Sequence, residues 1–242
     1  MKIPVTHFAG AILAAVLCTG CASLGPWKDK NFSFDVPMGI VAVVSNYNIY
    51  WDDEDPTSSD RPGKNENPEK TKISRADVLI EDAEAILRQT FVDLGVSNIV
   101  PKEKILESQA YKNAPLLRAW KNKNTLSATG YRPINYKDKN FAAALAAETE
   151  IKAGLYISFD FSKVMASGMG KSGTFRTQVN MKVIIVDERG KIVYNKNRLV
   201  ISDDKIRVAL RVFNQEELLD LFRSTLANAC YLFLQEFVST DT

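Results

Sequence analysis

The chain has 242 residues, 45% of them hydrophobic and 25% charged, which suits one domain with embellishments or two small ones and supplies enough apolar side chains for a core. Its 31 basic and 29 acidic residues nearly cancel and are interspersed along the chain, which argues against a nucleic-acid partner. A single histidine, His7, and three cysteines, Cys18, Cys21 and Cys230, narrow the chemistry further.

The first residues carry an address. Lys2 supplies a positive start, and Phe8 to Leu17 (FAGAILAAVL) an apolar stretch. That stretch is shorter than the roughly 20 residues a bilayer span needs, but it suits a secretory signal peptide. It ends in Leu17-Cys18-Thr19-Gly20-Cys21, which resembles the lipobox of bacterial lipoproteins, with Cys18 where that motif usually carries leucine. The resemblance implies that residues 1–20 are removed, that Cys21 is the lipid-attachment residue, and that its acyl chains hold the protein on a membrane. Ala22 after the cysteine resembles a signal for the outer rather than the inner membrane, facing the periplasm. Loss of residues 1–20 takes away His7, leaving no histidine and 30 basic against 29 acidic residues. Ser-His and Cys-His catalysis and imidazole-bound metals are then excluded. With Cys21 acylated, Cys230 has no disulfide partner within the chain. No cofactor is expected.

Residues 21–37, with Gly25-Pro26 and Pro37 and no sustained period, read as a lipidated tether, and residues 38–242 as the folded body. Ile40 to Ser45 (IVAVVS) is a β-branched run and predicts a buried strand. Residues 46–73 form a long, charged loop. Its Asp52, Asp53, Glu54 and Asp55 are consecutive, whereas calcium loops alternate their ligands around a turn glycine. Ser74 opens a helix in which Leu79, Ile80, Ala83, Ile86, Leu87, Phe91 and Leu94 recur at helical spacing, and Gly95 closes it. Asn98 to Val100 predicts a short strand stopped by Pro101, and Lys102 to Ala110 one or two helical turns. Residues 111–137 form a second irregular region.

Asp138 caps a predicted helix from about Phe141 to Lys152, closed by Gly154. Leu155, Ile157, Phe159 and Phe161 then alternate with polar residues, as do Phe175, Thr177, Val179 and Met181 further on, predicting two half-buried strands. Asp187-Glu188-Arg189-Gly190-Lys191 is a hairpin turn, and Ile192 to Ser202 returns as a strand. Asn214 and Glu217 form a capping-box pattern that opens a last helix, with Leu218, Phe222, Leu226, Ala229 and Phe233 on one face and Cys230 packed in the core. The fold class is therefore α/β (α+β), a single mixed sheet with packed helices in the order β-α-β-α-β-β-β-α.

Ser167-Gly168-Met169-Gly170-Lys171-Ser172-Gly173 contains the GKS that ends phosphate-binding loops. Such a loop is G-x-x-x-x-G-K-[ST] between a strand and a helix. Here Met165 stands where the first glycine belongs, and a strand pattern follows. The stretch reads as a hairpin tip without nucleotide binding.

Ala147 to Ile157 (AETEIKAGLYI), and Val179 to Asp187 followed by Gly190-Lys191-Ile192-Val193-Tyr194, resemble the curli-secretion-channel lipoprotein family and the related lipoprotein activators of penicillin-binding proteins. The resemblance implies a periplasm-facing, non-enzymatic domain that binds an envelope protein as scaffold or regulator of an assembly, with self-association left open. Trp51, Trp120, Tyr131 and Tyr136, all in or beside the irregular regions, are the candidate partner contacts, with partial core burial as the other reading of the same aromatics. Two further functions compete. One is a subunit of an oligomeric outer-membrane export channel. The other is an enzyme using carboxylates alone, for which Asp160, Asp187 and Glu188 are the candidates.

Overall fold

The computed structural model describes residues 27–46, 76–118, 125–169, 172–209 and 213–239. The elements in chain order are β1 (Trp27–Lys28), β2 (Met38–Asn46), α1 (Ala76–Asp93), α2 (Lys102–Leu106), α3 (Gln109–Lys112), β3 (Thr125–Ser127), α4 (Lys139–Thr149), β4 (Ala153–Met169), β5 (Ser172–Asp187), β6 (Ile192–Ile201), β7 (Ile206–Val208) and α5 (Gln215–Ser239). The strands form one mixed sheet in the order β1-β6-β5-β4-β2-β3, with β7 on β5. Among the described strands, β2 and β4 pair in parallel, and the other ladders are antiparallel. The α/β class read from the sequence is what the chain adopts.

Both faces of the sheet are used, but unequally. On one, Leu155, Ile157, Phe159 and Phe161 of β4 and Val179, Met181, Val183 and Ile185 of β5 meet α1 and α5 in a single large core. Phe161 sets its ring edge-on to Phe222 of α5, with centroids 5.8 Å apart. On the other face, Tyr156, Ile184 and Val186 pack with Phe141 and Leu145 of α4 and with Ile105 and Tyr111. This second layer covers one end of the sheet, which is why the in-out alternation fails there and Ala153 to Ile157 and Val183 to Val186 are buried throughout.

Local chemistry accounts for the helix ends. Asp138 accepts a hydrogen bond from Phe141 N at 2.9 Å, and Asn214 accepts from Glu216 N at 3.1 Å. Gly95, at φ 69°, ends α1 in a Schellman arrangement, with Val96 N donating to Phe91 O and Gly95 N to Val92 O. In the β5–β6 turn, Asp187 Oδ1 accepts from Arg189 N at 3.0 Å and Lys191 N at 2.8 Å, while Gly190 takes φ 74°.

Four expectations change. The segment expected as tether belongs to the body from Trp27 onward. β1 pairs with β6, Phe34 is buried with its ring edge-on to Tyr194, and the Asn98 side-chain amide donates to Phe34 O and Val36 O. This docking uses irregular backbone satisfied by a distant side chain, so no periodicity announces it. Helix α4 closes at Glu150, which takes the left-handed conformation, and Gly154 lies inside β4, where a Cβ would meet Val41 at 2.9 Å. The strand expected at Asn98 to Val100 is reduced to a bridge between Ile99 and Met38. Within residues 111–137, Tyr111, Ile134 and Tyr131 are core residues, and β3 adds an edge strand. The Ser74 cap and nearly all of the 46–73 loop lie outside the described residues.

Candidate functional surface

Of the four aromatics proposed as partner contacts, two are described, and both face inward. Tyr131 is 5% exposed, and its hydroxyl accepts from Arg88 Nη2 at 2.6 Å and donates to Glu84 Oε1 at 3.4 Å. Glu84 also holds Arg88 Nε and stands 3.4 Å from Lys102 Nζ, which lies 4.8 Å from the Tyr131 ring centroid. Burial pushes the Tyr131 phenol well above the usual tyrosine range although Arg88 pulls the other way. It therefore stays protonated and serves as a clasp between the chain around residue 131, α1 and α2. Tyr136 is half-buried, with its ring 5.9 Å from that of Tyr156. Trp51, Trp120 and Cys21 lie outside the described residues.

The three candidate carboxylates do not converge. Asp187 is opposite Ala153, so it stands about 23 Å along β4 from Asp160, far beyond the separation of a glycosidase pair. Asp187 is committed to its turn, and Glu188 pairs with Lys152 Nζ at 2.8 Å. Beside them, a crevice lined by Leu145, Ile151, Tyr156 and Val186 has a volume of about 10 Å³, room for one water. Cys230 is fully buried, and burial pushes its thiol up to about 12. It is a packing residue.

The strands outrun the helices at one end. The hairpin of β4 and β5 stays paired out to Met169 and Ser172, with a register shift between Met165 and Ser167. The sequence pattern suggests strands from 155 to 162 and from 174. Pairing past those limits carries Met165 (41% exposed) and Met169 (87%) onto a projecting arm. At its base Lys163 is buried, with Nζ 4.6 Å from the Phe175 ring. Gly168 and Gly173 of the GKS stretch are explained by this pairing. Gly168 and Gly173 face each other, and a Cβ on Gly173 would sit 2.2 Å from Ser167 O. Ser167 Oγ and Thr174 Oγ1 share a hydrogen bond at 2.6 Å. A strand follows rather than a helix, so the stretch has no helix N-terminus to receive a phosphate.

Beyond the second helical layer, the outer sheet face is polar. Ser158, Asp160 and Ser162 of β4 lie beside Lys182, Asn180 and Gln178 of β5, with exposed Leu199 and Ile201 on β6. No described helix covers this area. Direction is also set. β1 and β5 are both antiparallel to β6 and so run in the same sense. The sequence identifies the hairpin tip but not how far its strands stay paired, because residues 163–169 carry no in-out alternation. The signal available was that strand pairing can outlast burial.

No described helix is long and apolar enough to cross a membrane. Compared with known proteins, the chain matches no protein-family model, no curated protein and no solved structure.

Proposed function

We propose that the protein is a lipid-anchored component of a bacterial cell envelope whose domain works without catalysis, binding another envelope protein as scaffold or regulator of an assembly. The observation that carries this reading is the apolar stretch Phe8–Leu17 running into Leu17-Cys18-Thr19-Gly20-Cys21, six residues ahead of a strand of the body. Acyl chains on Cys21 would hold it, since each buried CH₂ contributes about 0.8 kcal/mol. The resemblance of Val179–Tyr194 to the curli-channel and penicillin-binding-protein-activator lipoproteins supports an assembly role facing the periplasm of the outer membrane. The polar outer sheet face offers a broad surface with no deep cavity among its described residues. The projecting β4–β5 arm favours a second reading, a subunit of an oligomeric export channel.

The test is the native mass of the detergent-extracted protein beside its Cys21→Ser variant. The expected result is an acyl increment lost in the variant, and a monomer or dimer carrying a co-purified envelope protein. An unmodified Cys21 would overturn the anchor, and a closed ring of many copies would replace the regulator with the channel subunit.

A further inference from the structure

We propose that Arg176, on the outer face of β5, receives a carboxylate from a protein partner, an Asp or Glu side chain flanked by aliphatic residues. This rests on the binding role proposed above and names the chemistry of what is bound.

The first observation is an unused guanidinium donor. Arg176 Nε is shut off from solvent and has no hydrogen-bond partner in the molecule. Arg88, Arg132 and Arg223, by contrast, are committed. Arg88 donates to Glu84 and Tyr131, Arg132 to the carbonyls of Tyr111 and Lys112, and Arg223 to Asp82 and Asp220. A buried donor on a charged group is costly without an acceptor, and a ligand that supplies one recovers the cost. A carboxylate fits, because its two oxygens take the two parallel N–H groups along the Nε edge of a guanidinium.

The second observation is where the side chain stands. Phe175 is buried in the main core and the Thr177 hydroxyl donates to Leu221 O of α5, so strand alternation turns Arg176 to the outer face. Val164 of β4 lies opposite it. Gln178, the next residue of β5 on that face, is opposite Ile201 of β6, and Asn180 is opposite Leu199. Ile201 and Leu199 are 43% and 56% exposed. Ile201 is diagonal to Arg176, about 7–8 Å away. Residues two apart in an extended segment are separated by about 7 Å and point the same way. A partner segment with an acid and an aliphatic side chain at that spacing meets both. A guanidinium beside exposed aliphatic and amide groups has the composition of an interface centre.

The third observation selects the class of partner. The register puts Lys182 and Arg207 on the same face, against Asp160. The exposed corner after β6 adds Lys205 against Asp203 and Asp204. The field is sparse and weakly positive. Nucleic acid and anionic bilayers are held by clustered bases. One aimed arginine in a weak field suits a single carboxylate on a protein.

The Nε–Hε resonance of Arg176 in the full chain reads the site directly. The probe is acetyl-Leu-Ser-Glu-Ser-Leu-amide, which presents its Leu, Glu and Leu on one side when extended, with Gln in place of Glu as the control peptide. The Glu peptide should move the Arg176 resonance and bind roughly tenfold more tightly than the Gln peptide. Arg176→Lys, which keeps the charge but not the fork, should lose most of that difference. Arg189→Gln, in the β5–β6 turn, should keep it. Arg176→Met, which keeps a long stem and removes the orphan donor, should unfold at the wild-type temperature or above. A lower unfolding temperature overturns the proposal, because Arg176 is then held within the fold. A resonance unmoved by the peptide, or moved by phosphatidylglycerol vesicles alone, overturns it too. If Arg176→Gln retains a co-purified envelope protein in full, this site falls and the binding role stands. If nothing co-purifies, the binding role falls, and the peptide titration still decides the site.

Discussion

Replacing Glu84 by glutamine should show whether the Tyr131 clasp holds the irregular chain around residue 131 on the body. Glu84 is 13% exposed at its side chain and Arg88 28%, so the pair is largely shielded from water. An exposed i, i+4 pair contributes about 0.3–0.5 kcal/mol, whereas removing one partner of a fully buried pair costs about 3–5 kcal/mol. Glu84→Gln keeps the shape and a hydrogen-bond acceptor but leaves Arg88 and Lys102 around Tyr131 without their counter-charge. The cost should fall between those limits, at about 2 kcal/mol, or about 4–8 °C in Tm. Urea unfolding of the wild type, Glu84→Gln, Tyr131→Phe and the double variant gives both the loss and the coupling. The coupling should be about 1 kcal/mol, because the tyrosine hydroxyl both accepts from Arg88 and donates to Glu84. A loss under about 0.5 kcal/mol, or strictly additive variants, would refute the reasoning and return Tyr131 to the set of available contact residues.

Other perturbations separate backbone conformation, docking and titration. Gly95→Ala should cost about 1–2 kcal/mol, the left-handed penalty alone, since a Cβ there meets nothing within 4 Å. Gly190→Ala should cost clearly more in the same thermal unfolding experiment, because its Cβ would lie 2.6 Å from Lys139 Cα. Phe34→Ala should lose about 3–4 kcal/mol, and a chain starting at Met38 should fail to give a cooperative transition; a stable fragment from Met38 would restore residues 27–37 to a tether. Burial pushes both Cys230 and Tyr111 up to about 12, so each is neutral when folded and ionises more readily when unfolded. Their stabilisation is complete below the unfolded values and falls as pH rises toward 12. From about pH 9 to 10 the cysteine leads, at up to about 1.4 kcal/mol per pH unit, and Cys230→Ala should flatten that slope in urea midpoints.

What could be read from the sequence follows how locally each feature is determined. The alternation through Leu155 to Phe161, the Asn214 cap and the Asp187–Gly190 turn rest on neighbours within a few residues, and each appears where expected. Phe34 and Tyr131 owe their burial to Asn98, Tyr194 and Arg88, distant in the chain, so nothing beside them signals it. The end of α4 is a local exception, for Glu150 adopts a backbone conformation that a glycine would favour, and Gly154 misdirects the reading. The length of the arm is missed for another reason. Burial patterns mark where a strand is covered, and backbone pairing continues to Met169 after cover ends.

The parallel pairing of β2 with β4 also governs how quickly the molecule is made. The hairpins joining β4, β5 and β6 close over short loops and can assemble early. β2 must wait for a partner that lies beyond four described helices and an edge strand, and no local contact rewards the search. The central ladder is then a late and slow event, and until it forms the apolar flank of β4 stands open. For a chain whose N-terminus reads as an export signal, that delay lengthens the time during which it remains extended enough to be carried across a membrane.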